Sequence, residues 1–185
     1  MKLHPEITPE LADWIAAQPL FFVATAPLAA DGHVNLSPRG HDCLRMLGPR
    51  ELAWLDLTGS GNETAAHLAD NGRITVMFCA FTGEPQILRL YGRGEVVLPE
   101  APAWTDLRLH FPALPGVRQI VRVAVERVQT SCGYAVPLMD YRAERSRLLE
   151  WAEHKGEAGL VDYRERNNRI SIDGLPAPRG HELRE

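Results

Sequence analysis

Short apolar runs separated by turn residues fill the first two thirds of the chain and predict a series of strands. The run at residues 73–81 is almost continuously apolar, as in a strand that is covered on both faces. The run at residues 86–98 contains Gly92 and Gly94, which favour a bend or bulge in a barrel strand. The predicted strands are 20–25, 34–36, 43–46, 51–57, 73–81, 86–98 and 118–128.

Helical patterns are few and lie mainly at the two ends of the chain. Thr8 and Pro9 suit the start of a helix, since threonine caps a first turn and proline fits the first helical position. Asn71-Gly72 is a typical helix end. The predicted helices are 9–18, 62–70, 99–111, 145–153 and 157–167.

Closely spaced strands with few helices favour a β-barrel or sandwich over alternating β–α units. After Pro137 the pattern changes from strands to helices. We therefore predict a mainly β, mixed α+β protein, with a barrel domain over residues 1–137 and a helical extension and tail over residues 138–185 packed on it. No Gly-x-Gly-x-x-Gly sequence stands between a strand and a helix, which argues against a Rossmann dinucleotide site.

Composition and charge argue against several classes of function. The 185 residues carry a net charge of −4 with a pI of about 6.0, so no nucleic-acid partner is expected. The uncharged stretch 14–30 is broken by prolines and follows acidic residues, so neither a membrane span nor a signal peptide is expected. Three widely spaced cysteines and seven histidines show no metal-binding pattern. These features favour a cytoplasmic protein without a metal site.

The segment 57–64, Leu-Thr-Gly-Ser-Gly-Asn-Glu-Thr, is a candidate phosphate-binding loop between a predicted strand and a predicted helix. Gly59 and Gly61 allow backbone N–H groups to approach a ligand closely. The helix N-terminus adds unpaired N–H groups and a favourable dipole. The side chains that can donate to phosphate oxygens are those of Thr58, Ser60, Asn62 and Thr64. An ordinary turn, capped by Ser60 or Asn62, explains the same residues equally well.

The second candidate segment is residues 35–40, Asn-Leu-Ser-Pro-Arg-Gly. Strand alternation places Asn35, Ser37 and Arg39 on one face. Arginine is a natural partner of a phosphate dianion because its planar set of donors matches two oxygens. Taken alone, however, the segment fits a surface arginine before a bulge better than a binding site.

Together, these two segments resemble the pyridoxamine 5'-phosphate oxidase-related FMN-binding family of split β-barrel flavoproteins. The resemblance is carried by residues 31–40 and 55–68. Further motifs, at residues 87–92, 166–167 and 171–176, are similar to a separate branch of that family rather than to the true oxidase. The resemblance spans about residues 3–176, and it is more specific for the fold than for the reaction.

This resemblance implies a split β-barrel with a C-terminal helical extension, a homodimer, and an FMN site at the dimer interface. The positions that match residues along the flavin are Ser37, Pro38, Arg39 and Gly40. Those that match the phosphate-binding pattern are Thr58, Asn62 and Thr64, with Ser60 between them. Gln129 and Ser131 resemble a segment that reaches the flavin from the partner chain.

The chain departs from the family pattern at several positions. Thr64 replaces a phosphate-binding lysine, so Arg39 must supply the positive charge. Ile87 replaces a glutamine that faces the flavin ring. Asp42 replaces a lysine of the oxidase substrate site, and the late Arg-x-His pair of that site is absent. These lost positive charges argue against pyridoxamine phosphate as a substrate.

The sequence therefore predicts an FMN-binding protein that acts as a flavin-dependent oxidoreductase on a small molecule. It indicates no catalytic acid or base. Two alternatives stay open: a flavin-binding or flavin-sensing protein without turnover, and a deazaflavin- or haem-binding member of the same barrel fold.

Overall fold

The computed structural model describes residues 1–178, and within them it contains eight strands and four helices. The strands are β1 (Lys2–His4), β2 (Phe21–Thr25), β3 (Asn35–Arg39), β4 (Leu44–Gly48), β5 (Glu51–Leu57), β6 (Arg73–Cys79), β7 (Gln86–Val97) and β8 (Val117–Cys132). The helices are α1 (Pro9–Ala16), α2 (Glu63–Asn71), α3 (Trp104–Arg108) and α4 (Arg147–Asn167). Residues 179–185, the end of the predicted tail, lie outside the described residues.

These strands form one antiparallel sheet in the order β3-β2-β6-β7-β8-β5-β4, with β1 paired to the last part of β8. In a flat sheet, β2 and β5 would stand about 19 Å apart, four strand spacings. The rings of Phe21 on β2 and Trp54 on β5 nevertheless lie 5.9 Å apart between centroids. The sheet is therefore strongly curled around one apolar core. The predicted mixed α+β fold class is confirmed.

Local signals account for several of the element ends and irregularities. Thr8 caps α1, because its hydroxyl oxygen accepts from the N–H of Leu11 at 3.4 Å. Gly72 ends α2 in the left-handed conformation, with φ of +71°. A register shift marks the predicted bulge of β7 at Gly92, where a Cβ would collide with the carbonyl oxygen of Ala124. The two predicted C-terminal helices are the halves of α4, on either side of a break at residue 156.

Three details differ from the prediction. The helix expected over 99–111 is only the short α3: Pro102 lacks the N–H group that would extend the helix backwards, and tighter turns with i to i+3 hydrogen bonds follow Arg108. Pro38, expected between two strands, lies inside β3; this is an edge strand, where a proline is tolerated. The short, polar strand β1 carries no apolar pattern and was not predicted. The division of the chain at residue 137 stays a prediction.

Candidate functional site

A cavity of about 490 Å³ lies between β3, the loop from β5 to α2, and the start of α4. Its size is within the usual range for small-molecule sites. The predicted cofactor-binding residues that line it are Ser37, Pro38, Arg39, Gly40, Ser60, Asn62 and Thr64. The fold thus brings the two candidate segments of the sequence to one cavity.

A buried ion cluster forms one side of this cavity. Asp56 on β5 is fully buried; its Oδ1 atom accepts from Nη1 of Arg39, and its Oδ2 atom accepts from Nε of Arg118 at 2.8 Å. Gln119 donates to the same Oδ2 atom at 2.6 Å. Burial alone would raise the pKa of Asp56, but the two guanidinium groups and these hydrogen bonds hold it below its usual value. One carboxylate and two guanidinium groups leave the cluster with a net positive charge.

Arg39 has donor capacity that the protein itself does not use. It lines the cavity from the end of β3, and its Nε atom is buried without a hydrogen-bond partner among the described residues. A buried donor without a partner costs about 1–3 kcal/mol. An anionic oxygen that enters the cavity beside this side chain would remove that cost, so the donor set fits an anion.

The N-terminus of α2 opens onto the same cavity through Asn62, Glu63 and Thr64. The side chain of Asn62 makes no capping hydrogen bond to the helix; it accepts from Gln119 at 3.0 Å instead. The first N–H groups of a helix have no partner within the helix. Without a side-chain cap, these groups are available to a ligand in the cavity.

A row of polar side chains holds the wall of the cavity between β3 and α2. Ser37 donates to Oδ1 of Asn35 at 2.9 Å, and Nδ2 of Asn35 donates to the hydroxyl oxygens of Thr64 at 3.1 Å and Thr25 at 3.2 Å. Asn35, Ser37 and Arg39 are therefore on one face of β3, as the alternation predicts. The row fixes the side chain of Thr64, where the family pattern has a lysine.

Three predicted residues do not line the cavity. The hydroxyl of Thr58 donates to the carbonyl oxygen of Gly116 at 2.8 Å and accepts from Arg164 at 2.8 Å. Thr58 therefore ties the start of the loop to the protein and does not face the cavity. Gln129 and Ser131 lie near the end of β8. Their contact with a flavin of a partner chain stays a prediction.

Other cavity residues were missed by sequence reasoning. Arg118 lines the cavity, and the only local signal was a polar pair, Arg118-Gln119, at the start of a strand whose interior is apolar. Cys43 also lines it; burial raises the pKa of this thiol to about 12, so it stays protonated. Asp42, by contrast, is not among the residues that line the cavity; it forms an ion pair with Arg45 on the surface, at 2.5 Å.

Two other types of feature are not found within residues 1–178. No three His, Cys, Asp or Glu side chains are grouped there so that they could hold a metal ion. None of the four helices in this range has the combination of length and hydropathy that a transmembrane span needs.

Comparison with known proteins gives one consistent family. The family model described as pyridoxamine 5'-phosphate oxidase matches residues 7–132. The pyridoxamine 5'-phosphate oxidase family protein ustO of Aspergillus flavus is 37% identical over 190 residues, which cover 94% of this chain and 76% of the relative.

Solved structures share the fold at lower identity. HupZ from Group A Streptococcus has a TM-score of 0.52 and 24% identity, over 66% of this chain and 91% of the other. A candidate pyridoxamine 5'-phosphate oxidase from Lactobacillus delbrueckii has a TM-score of 0.53 and 21% identity, over 70% of this chain and 99% of the other. At this level of identity, the likeness concerns the fold alone.

Proposed function

The chain belongs to the pyridoxamine 5'-phosphate oxidase family, and from this premise we propose that it binds FMN in the cavity described above. The observation that carries this proposal is that Arg39, Arg118 and the open N-terminus of α2 line the same cavity. Guanidinium groups and helix N–H groups are the donors that proteins use for phosphate. Because the two arginines share a single carboxylate, positive charge remains for a dianion.

The same geometry supports phosphate binding without the lysine of the family pattern. Thr64 offers a hydroxyl group in place of the ammonium group, and Arg118 adds a second cation to that of Arg39. The phosphate would lie between these groups and the loop residues Ser60 and Asn62. We assign the remaining lining residues of β3 and its end, Ser37, Pro38 and Gly40, to the flavin ring.

We further propose an oxidoreductase acting on a small molecule other than pyridoxamine phosphate. Bound flavin supplies hydride or electron transfer, and the protein positions the reactants and excludes water. Asp42, which replaces a substrate-site lysine of the family pattern, is exposed and pairs with Arg45. This position therefore carries a paired carboxylate where the family pattern has a cation for a substrate phosphate.

A cytoplasmic homodimer completes the proposal, with Gln129 and Ser131 of one chain reaching the flavin of the other. Neither residue lines the cavity of its own chain, which leaves both available to a partner. Val34 and Leu36 expose apolar side chains around the outer face of β3, beside the cavity, which suits an interface there.

Absorbance spectroscopy of the purified protein tests the cofactor directly. We expect flavin bands, and mass spectrometry of the material released on heating should identify FMN rather than FAD or a deazaflavin. A haem spectrum, or protein that stays colourless and does not quench the fluorescence of added FMN, would overturn the proposal. Anaerobic reduction by NADH or NADPH, followed by reoxidation with candidate acceptors, distinguishes an enzyme from a flavin-binding module without turnover.

A further inference from the structure

Asn168, the residue directly after α4, connects the C-terminal segment to the candidate phosphate loop. It is only 5% exposed. Its Nδ2 atom donates to the carbonyl oxygen of Gly59 at 3.0 Å, and its Oδ1 atom accepts from Nη1 of Arg118 at 2.9 Å. Its backbone oxygen accepts from the side chain of Asn62 at 3.4 Å. One buried side chain therefore contacts the loop and one of its two cations.

Two arginines extend this attachment. Arg164, in the last turn of α4, donates to the hydroxyl oxygen of Thr58 at 2.8 Å and to the carbonyl oxygen of Val117 at 3.2 Å. Arg118 donates to the carbonyl oxygen of Gly61 at 2.8 Å. The candidate phosphate loop is thus bound at three of its residues, Thr58, Gly59 and Gly61.

The segment after Asn168 holds the helix that follows the loop. Ala177 packs against Ala65 and Ala66 on α2. The N–H of Ile172 donates to the carboxylate of Glu63 at 3.1 Å, in the first turn of α2. Residues near the C-terminus therefore contact both parts of the candidate phosphate site, the loop and the first turn of α2.

The geometry of the peptide bond shows what these contacts do. In a trans peptide, the carbonyl group and the next N–H group point in opposite directions, and the described residues contain no cis peptide bond. Because Asn168 binds the Gly59 carbonyl and Arg118 binds the Gly61 carbonyl, the N–H groups of Ser60 and Asn62 point away from these partners. Neither N–H group has a hydrogen-bond partner within residues 1–178, and both residues line the cavity.

From this geometry, and on the basis of the proposed FMN site, we propose that Asn168 is a positioning residue for phosphate recognition. It acts through the loop, by orienting backbone N–H groups into the cavity, and it also orients Arg118. The C-terminal motif of the chain is then part of the phosphate site, although none of its side chains need contact the ligand.

A comparison of FMN with riboflavin tests this role, because riboflavin lacks the phosphate. Binding of both is measured by fluorescence titration for wild type, Asn168→Ala and the control Asn167→Ala. Asn167 is the exposed neighbour, and among the described residues its side chain hydrogen-bonds to the backbone of its own helix, at the Tyr163 carbonyl. We expect Asn168→Ala to weaken FMN binding by about tenfold or more, the effect of one lost hydrogen bond to a charged group, and to leave riboflavin binding unchanged.

The outcomes separate the two proposals. If wild type prefers FMN over riboflavin and Asn168→Ala keeps that preference, the positioning role is wrong while the FMN site stands. If both ligands lose affinity equally in Asn168→Ala, the residue has a general structural role and the inference also fails. If wild type binds neither ligand, or binds both equally, the proposed phosphate site itself is overturned, together with this inference.

A second variant covers the case in which Asn168→Ala does not fold. Asn168→Asp has nearly the same shape and still accepts from Arg118, but it cannot donate to the Gly59 carbonyl. Its preference for FMN over riboflavin should also fall, because the Gly59 carbonyl loses the donor that fixes the orientation of its peptide. A preference equal to that of wild type would refute the positioning role.

Discussion

Replacement of Asp56 by asparagine should destabilise the ligand-free protein strongly. The carboxylate is fully buried and binds Arg39, Arg118 and Gln119. Asparagine would leave two guanidinium groups in the interior without their counter-charge. Removal of one partner from a buried ion pair costs about 3–5 kcal/mol. Since domains are stable by about 5–15 kcal/mol in total, Asp56→Asn should remove a large part of the free energy of unfolding.

Urea unfolding measures this loss, and Asp42→Asn is the matched control. Asp42 also pairs with an arginine, but its side chain is 70% exposed, and exposed pairs contribute about 0–1 kcal/mol. We expect a clearly lower urea midpoint for Asp56→Asn and almost no change for Asp42→Asn. Equal effects of the two substitutions on the urea midpoint would refute the reasoning that the buried Asp56 cluster contributes more to stability than an exposed ion pair.

The pH dependence of the same measurement shows whether charge is the cause. The folded state lowers the pKa of Asp56, so its contribution to stability is present above the ordinary carboxyl pKa of about 4 and is lost as the pH falls through the lowered value. The difference in unfolding free energy between wild type and Asp56→Asn should therefore be full at neutral pH and shrink in acid. A difference that did not change with pH would point to packing instead.

Three further predictions concern other side chains. Arg39→Ala should weaken FMN binding by about 1.5–3 kcal/mol in a fluorescence titration, because a charge-assisted contact is lost; unchanged affinity would exclude its phosphate role. Asp173 accepts a hydrogen bond from His33 and thereby raises the pKa of that histidine, so Asp173→Asn should shift the NMR titration of His33 to lower pH. The pair should stabilise the wild type below about pH 6.5 and stabilise it less at higher pH. An unshifted titration would contradict the pairing. A thiol reagent should label the exposed Cys132 long before the buried Cys43 in native protein, as mass spectrometry would show; equal rates would mean that the cavity wall opens readily.

The strands and helices could be predicted because their signals are local. Asn71-Gly72 ends α2, and Gly92 marks the bulge in β7, both as their residue types indicate. The curl of the sheet could not be derived in this way. The contact between Phe21 and Trp54 depends on strand order, which no single segment carries.

The candidate site could be predicted in part for the same reason. The glycine-containing loop 57–64 and the strand segment with Arg39 each have a recognisable local pattern. Arg118 has only the weak signal of a polar pair at the start of an apolar strand, and Asn168 has none, because they contact loop residues more than 50 positions distant in the chain. In the sequence, Asn168 cannot be distinguished from Asn167, yet one is buried against the loop and the other is exposed.

The contacts made by Asn168 also have a consequence for biosynthesis. The asparagine is made 109 residues after Gly59, whose carbonyl it binds. At cellular rates of translation, this separation corresponds to roughly 5–20 s. During that interval the nascent chain can already pair several barrel strands, while the loop lacks its later restraints. If the proposed FMN site is right, the loop is therefore expected to bind the phosphate tightly only after Asn168 has been made and has packed against Gly59.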